Sequence, residues 1–163
     1  MIRQTKPDDQ IALMALVESV GLFGSDELLQ VGEMLSEYFG SNNESGEFWI
    51  TDDDNGSLNG IAYCAPERMT NGTWNVLLIA VRPDCQCQGR GVALMRYVEE
   101  ALSARGERLL LVETIASFEQ TRAFYIKCGY EKEGCIRDYY DAGQDKIIYR
   151  KALAATSSSA ATD

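Results

Sequence analysis

The sequence predicts an α/β (α+β) fold in which one parallel strand–helix–strand unit sits among hairpin-joined strands. Three stretches carry the prediction. Val76 to Val81 is a continuous apolar run closed by Pro83, and an amphipathic helix and a second apolar run, Arg108 to Thr114, follow it. Two strands joined by a crossover helix imply a right-handed parallel unit. Earlier, two runs that read as strands flank Asp52-Asp53-Asp54-Asn55-Gly56, whose last pair is a hairpin turn signal. Near the end, Tyr130 to Arg137 and Lys146 to Leu153 flank Asp141-Ala142-Gly143 and read as an antiparallel pair.

In order, Met1 to Thr5 reads as a first strand. Asp8 or Asp9 can cap a helix over Gln10 to Val20, with Ile11, Leu13, Met14, Leu16 and Val17 apolar. Gly21 and Gly24 interrupt the pattern. Ser25-Asp26-Glu27 then opens a second helix through Phe39, its stripe supplied by Leu28, Leu29, Val31, Met34, Leu35, Tyr38 and Phe39. Ser41 to Gly46 is loop. Glu47 to Thr51 and Leu58 to Ala65 are the hairpin strands, and the acid triplet between them reads as a solvated turn, since it lacks the rest of a calcium-loop pattern. The central strand begins near Thr73. Its unbroken apolar run predicts burial on both faces. Leu94, Tyr97, Val98, Ala101 and Leu102 form the stripe of the third helix, and Gly106 stands where a left-handed cap would end it. A fourth helix covers Phe118 to Cys128. The tail from Ala154 is small and polar and reads as disordered, leaving one domain over residues 1–153.

Chemistry concentrates between the central strand and the third helix, in Gln86-Cys87-Gln88-Gly89-Arg90-Gly91. Closely spaced glycines let backbone approach a ligand, and the helix start aims free N–H groups at it. That combination suits a phosphate or pyrophosphate. A P-loop is excluded, because no Lys-Ser/Thr follows the second glycine. A dinucleotide-binding loop is disfavoured: the third glycine position holds Leu94, and seven residues separate Val81 from Gly89 where a tight turn is required.

Those six residues resemble the Q/R-x-x-G-x-G/A signature of the GNAT superfamily of acyl-CoA-dependent N-acetyltransferases, in the same strand–loop–helix setting. A second stretch, Thr121-Arg122-Ala123-Phe124-Tyr125-Ile126-Lys127-Cys128-Gly129-Tyr130, is similar to the family's F/L-Y-x-K-x-G-F/Y motif. The element order β-α-α-β-β-β-α-β-α-β-β is also that of the family, so the resemblance covers the chain to about Leu153. It implies the GNAT fold: a central mixed, mostly antiparallel sheet of six to seven strands, about four helices, and a splay between strands four and five.

The resemblance also implies direct acyl transfer from acetyl-CoA. The pantetheine arm would bond the backbone at Ile79, Ala80 and Val81, with the Val81 N–H polarising the thioester carbonyl. The pyrophosphate would rest on the amides of Gln86, Cys87, Gln88, Gly89, Arg90, Gly91, Val92 and Ala93, with Arg90 adding a charge-assisted contact. Tyr125 would protonate the leaving thiolate, the competing reading being that it only packs a helix on the sheet. The family's acceptor pocket maps onto Gly21 to Asp26, Tyr63, Trp74 and Arg137 to Tyr140, so Trp74, Asn75 and Tyr139 are expected to meet the substrate.

Two departures bear on the base. Many members carry a glutamate where this chain has Asn75, and the chain contains no histidine. Glu113, at the end of the fifth strand, is the first candidate, against the reading of an ordinary strand-end carboxylate; Asp138, Tyr139 and a water chain stay open. Phe118 also stands where some members show an asparagine, which affects expected pantetheine contacts.

Composition sets the remaining bounds. The chain has 163 residues, 45% of them hydrophobic, enough for one core. No signal-peptide core or membrane-length apolar run is present. Five cysteines, odd in number and not framework-spaced, suit reduced thiols in a cytoplasm. Cys85 and Cys87 lack the company a zinc site needs, so no metal is expected. A net charge of −10 argues against nucleic acid and anionic membrane and suits a cationic amine, or serves solubility alone. The sequence is therefore read as a cytoplasmic N-acetyltransferase using acetyl-CoA, acting on a small amine or a protein or peptide amino group. A homodimer is within the family's habits. The competing classes are a non-catalytic acyl-CoA-binding regulatory module and a dinucleotide-binding oxidoreductase.

Overall fold

A computed structural model describes residues 1–154. Apart from Ala154, the tail read as disordered lies outside the described residues. Seven strands form a mixed sheet in the order β1-β2-β3-β4-β5-β7-β6, accompanied by four α-helices. The strands are β1 Ile2–Gln4, β2 Phe48–Asp54, β3 Ser57–Pro66, β4 Thr73–Val81, β5 Leu109–Ile115, β6 Glu131–Asp141 and β7 Gln144–Ala152. The helices are α1 Gln10–Val20, α2 Ser25–Gly40, α3 Arg90–Ala104 and α4 Glu119–Lys127. The predicted element order holds throughout, with 3-10 turns added at Pro7–Asp9 and Pro83–Cys85.

The described residues form two compact units, Met1–Ala65 with Leu77–Tyr97, and Pro66–Val76 with the described residues that follow Tyr97. In the first, β1, β2 and β3 pair antiparallel, Arg3 facing Thr51 and Ile50 facing Ala62. Its core joins Leu13, Leu16 and Val17 of α1 to Val31 and Leu35 of α2 and to Trp49, Ile61 and Leu78 of the strands. Trp49 stacks on Tyr63 with centroids 4.2 Å apart. The helix stripes are narrower than their apolar residues suggest: Ile11 and Leu29 face solvent at 86% and 65% exposure.

Local chemistry differs from expectation at three places. Asp9 makes no side-chain cap, because its carboxylate is taken by Arg3, at 2.8 and 3.0 Å, and by the Lys6 N–H. The hairpin turns at Asn55 and Gly56, both left-handed at φ 52° and 91°. The acid triplet, however, is strand and not solvated turn: β2 runs through Asp54, with a register shift at Asp52/Asp53. Asp52 is buried at 6% exposure. A bulge and arginine partners overcome aspartate's poor fit to a strand.

The third departure is in β4. Val76, Leu78 and Ala80 are buried, but Leu77 is 50% exposed and Ile79 and Val81 are half-buried. A continuous apolar run gives composition only; it does not reveal that one face of the strand is only partly covered.

In the second unit the first half of β4 pairs parallel with β5, from Thr73↔Leu109 to Val76↔Val112, where the paired stretch ends. β5 continues antiparallel to β7, which pairs antiparallel with β6. The register of β6 breaks between Ile136 and Asp141, and Asp138 takes φ 56°. Such a bulge re-aims side chains, and here it presents Tyr139 and Tyr140, at 51% and 43% exposure. Tyr125 of α4 packs edge-on or tilted against Tyr130 and Tyr149, with centroids 6.0 and 5.9 Å away.

Candidate active site

In the first unit, β4 leaves the sheet at Val81 and the chain turns through Pro83–Cys85 into the glycine loop. The turn is built by side chains. Arg82 Nε donates to Asp84 at 2.6 Å and Nη1 to the Ser57 hydroxyl at 3.0 Å, while the Arg82 N–H bonds the Asn59 carbonyl at 2.8 Å. The bond from Arg82 holds the Asp84 carboxyl below the usual carboxylate range. Gln86 Nε2 reaches back to the Val81 carbonyl at 3.0 Å and Gln88 Nε2 to the Asp84 carbonyl at 3.3 Å. Cys85 is buried beneath this turn; Cys87 is exposed.

Gln86 to Gly89 lie open to solvent, and the backbone is left-handed at Cys87, φ 59°, and Gly89, φ 79°. A Cβ on Gly89 would meet nothing within 4 Å. Glycine stands there for its conformation, not for want of room. α3 begins at once with Arg90, so Gly91, Val92 and Ala93 belong to its first turn and not to a longer loop. The first N–H groups of a helix have no partner within it, and the helix dipole makes this end favourable to negative charge. An exposed, left-handed, glycine-bearing approach to a 15-residue helix fits an anionic group such as a pyrophosphate.

Arg90 is otherwise occupied. Its Nη1 lies 2.7 Å from Asp52 Oδ2 and its Nη2 3.8 Å from Asp54. The bond to Asp52 raises the Arg90 pKa above its ordinary value. The residue ties the start of α3 to the β2 hairpin. The close approach of this helix to β3 is visible at Gly60, where a Cβ would stand 2.8 Å from Leu94 Cδ1. Leu94 itself is fully buried, a core residue where a dinucleotide loop would carry its third glycine.

In the second unit a polar chain runs through four side chains. Asn75, 3% exposed, donates from Nδ2 to Glu67 Oε1 at 3.0 Å and to Glu113 Oε1 at 2.9 Å. Glu113 Oε2 meets Lys146 Nζ at 2.6 Å, and that ammonium lies 4.0 Å from the centre of the Tyr139 ring. Burial alone would lower the Lys146 pKa; the bond and charge of Glu113, helped by Tyr139, outweigh it and leave it raised. Asn75, Glu113 and Tyr139, expected from sequence, are thus linked. Trp74 is buried at 4% exposure with the Arg105 guanidinium 5.4 Å from its ring centre. Tyr125 is 3% exposed, and its phenol pKa is pushed up by burial first and then by the charges of Cys128, Tyr140 and Glu113.

Glu67 and Lys146 were not legible as site residues. Each reaches its partner through the sheet, Lys146 from the start of β7 and Glu67 from the connection after β3. No spacing in the sequence encodes either pairing. Among the described residues no group of three or more His, Cys, Asp or Glu is placed to hold a metal ion, and no helix is long and apolar enough to cross a membrane.

Residues 44–132 match the family model of the acetyltransferase (GNAT) domain. The chain is 38% identical over 73 residues to the [ribosomal protein bS18]-alanine N-acetyltransferase of Escherichia coli K12, covering 43% of this chain and 49% of that protein. It therefore spans about half the length of that relative. Among solved structures, a Desulfovibrio desulfuricans protein assigned to the GNAT family superposes with a TM-score of 0.89 at 32% identity, covering 94% of this chain and 99% of that one. An aminoglycoside 6′-N-acetyltransferase solved with coenzyme A shares the fold at a TM-score of 0.75 and 17% identity, covering 94% and 97%.

Proposed function

The chain belongs to the GNAT acetyltransferases, and from that premise we propose that it moves an acetyl group from acetyl-CoA directly to a primary amine in a ternary complex. Residues 1–153 act as one acetyltransferase domain in this reading. The observation that carries it is the open, left-handed glycine loop leading from β4 straight into the N-terminus of α3. The coenzyme A bound in the aminoglycoside acetyltransferase of the same fold adds support for the donor.

Acetyl-CoA supplies the activated acyl group; the rest falls to the chain. Backbone N–H groups between Cys87 and Val92 hold the pyrophosphate; those of Gln86 and Ala93, expected to join them, are already bonded to the carbonyls of Pro83 and Gly89, at 3.4 and 3.0 Å. Backbone at Ile79, Ala80 and Val81 carries the pantetheine arm, on the part of β4 that lies beyond its last residue paired with β5. The Val81 N–H donates to the carbonyl oxygen as negative charge gathers there. Glu113 takes the proton from the attacking amine. Its oxygens are already bonded to Asn75 and Lys146, but each keeps a further lone pair. Tyr125 gives its proton to the departing thiolate. A phenol is protonated at neutral pH in any case, and burial raises this one further, so the proton is in place for the general acid to give.

For the acceptor, the similarity to bS18-alanine N-acetyltransferases favours the amino group of a polypeptide, and the net charge of −10 is compatible with a cationic substrate. Thiol release from acetyl-CoA, measured with N-terminal alanine peptides and a panel of small amines, tests the reading. Turnover with any of them is the expected result. Tight acetyl-CoA binding without turnover across both panels would replace it with the non-catalytic module.

A further inference from the structure

The Asn75 amide is held in one orientation. Both of its N–H groups face carboxylates, Glu67 Oε1 at 3.0 Å and Glu113 Oε1 at 2.9 Å. A flipped amide would turn its oxygen on two negatively charged groups, so the chemistry of the neighbours fixes the assignment. The consequence falls on the other end of the amide. Asn75 Oδ1 is buried and has no hydrogen-bond partner among the described residues. A buried acceptor left unpaired costs about 1–3 kcal/mol, a cost that an incoming N–H donor would remove.

Charge is unbalanced around the same amide. Glu113 has its cation in Lys146, at 2.6 Å. Glu67 forms no ion pair among the described residues, and it is half-buried. An orphaned carbonyl oxygen and an uncompensated carboxylate therefore share one amide group. The complement to both is a group that carries positive charge and has more than one N–H to donate. A water satisfies only the first need, the hydrogen bond; a primary ammonium satisfies both.

We propose that Glu67 and the Asn75 carbonyl recognise the acceptor amine in its ammonium form, with Glu67 as a specificity-determining residue for charge. The inference rests on the acetyltransferase reading for what that amine becomes, but not for the site itself. Asn75 here does work that a glutamate at its position could not do in the same way. Its N–H groups join two carboxylates that would otherwise repel each other, and its oxygen remains for the ligand.

The test is calorimetric titration of propylammonium and L-alaninamide into the full chain saturated with CoA, comparing wild type with Glu67→Gln. The glutamine keeps an oxygen for Asn75 Nδ2 and removes only the charge. Expected is a loss of about tenfold or more in affinity for both ammonium probes, the scale of a charge-assisted hydrogen bond, with the CoA affinity unchanged. In turnover the acceptor KM rises while the KM for acetyl-CoA stays put. Equal affinity of wild type and variant overturns the proposal. Should Glu67→Gln fail to fold, wild type alone decides: propylammonium binding well above propan-1-ol supports the site, and equal binding of the two sinks it. A protein that binds CoA but no ammonium probe loses this inference and keeps the acetyltransferase reading. One that binds ammonium but no CoA does the reverse.

Discussion

Tyr125 shows how far one side chain's role follows from its surroundings. It is 3% exposed, packed among Tyr130 and Tyr149, with its phenol pKa raised by burial. A packing residue and a proton donor would both look buried, but they respond differently to losing one oxygen. Tyr125→Phe preserves the ring. A general acid then loses about a hundredfold in kcat with little change in the KM for acetyl-CoA, which steady-state kinetics reads directly. A residue that only packs leaves kcat within about threefold, because the cavity and the ring contacts are conserved. At this scale Asn75 and Glu113 were placed near one another by their neighbouring strands alone. Glu67 was not. It is eight positions from Asn75 in sequence, and the contact depends on how the β3–β4 connection turns back on the strand.

At the scale of the element, the join between β3 and α3 makes a sharp prediction. Gly60 has ordinary strand geometry, so the absent side chain is a matter of space: a Cβ would stand 2.8 Å from Leu94 Cδ1 and 3.3 Å from the Ala80 carbonyl oxygen. Leucine can yield; backbone cannot. Gly60→Ala should cost about 1–3 kcal/mol by overpacking and lower Tm by several degrees in a thermal melt. An unchanged Tm would mean that helix and strand are less tightly seated than the geometry requires. The elements themselves were readable because hydrophobic period, glycine punctuation and the Asn55-Gly56 turn all agree. The failures share a cause. Asp52 looked like turn because aspartate fits strands badly, and nothing local announces the arginine, Arg90, that makes its burial tolerable. Leu77 looked like core because it sits in an apolar run. Composition is a property of the strand, and cover is a property of its neighbours.

For the molecule as a whole, stability should fall away at both ends of the pH scale. Tyr63, Tyr125 and Tyr130 all have raised pKa values, burial being the leading cause in each. The unfolded chain releases these protons near its ordinary phenol value of about 10, while the folded chain retains them. Their contribution is therefore complete below about pH 10 and lost as pH climbs through the folded values. Lys146, raised on balance by Glu113, adds to the same alkaline loss. On the acid side, the bond from Arg3 lowers Asp9, so that contribution is present above about pH 4 and lost below it. Denaturant melts across this range should show a plateau with a steep alkaline edge; a plateau extending unchanged past pH 11 would contradict the burial of these phenols.

The central claim is that the loop from Gln86 into α3 holds an acyl-CoA. A thermal melt of the protein with acetyl-CoA, CoA, NAD or buffer alone tests it most directly. Ligand at a hundredfold excess over Kd adds about 2.7 kcal/mol, which for a chain of this size raises Tm by roughly 5–10 °C. The account predicts that shift for the two CoA ligands only. It also predicts its loss in Gly89→Asp, where an L-residue would be forced to φ 79° and would set a carboxylate on the anion site. No shift with CoA, or a shift with NAD in its place, would contradict the assignment of the loop and the function built on it.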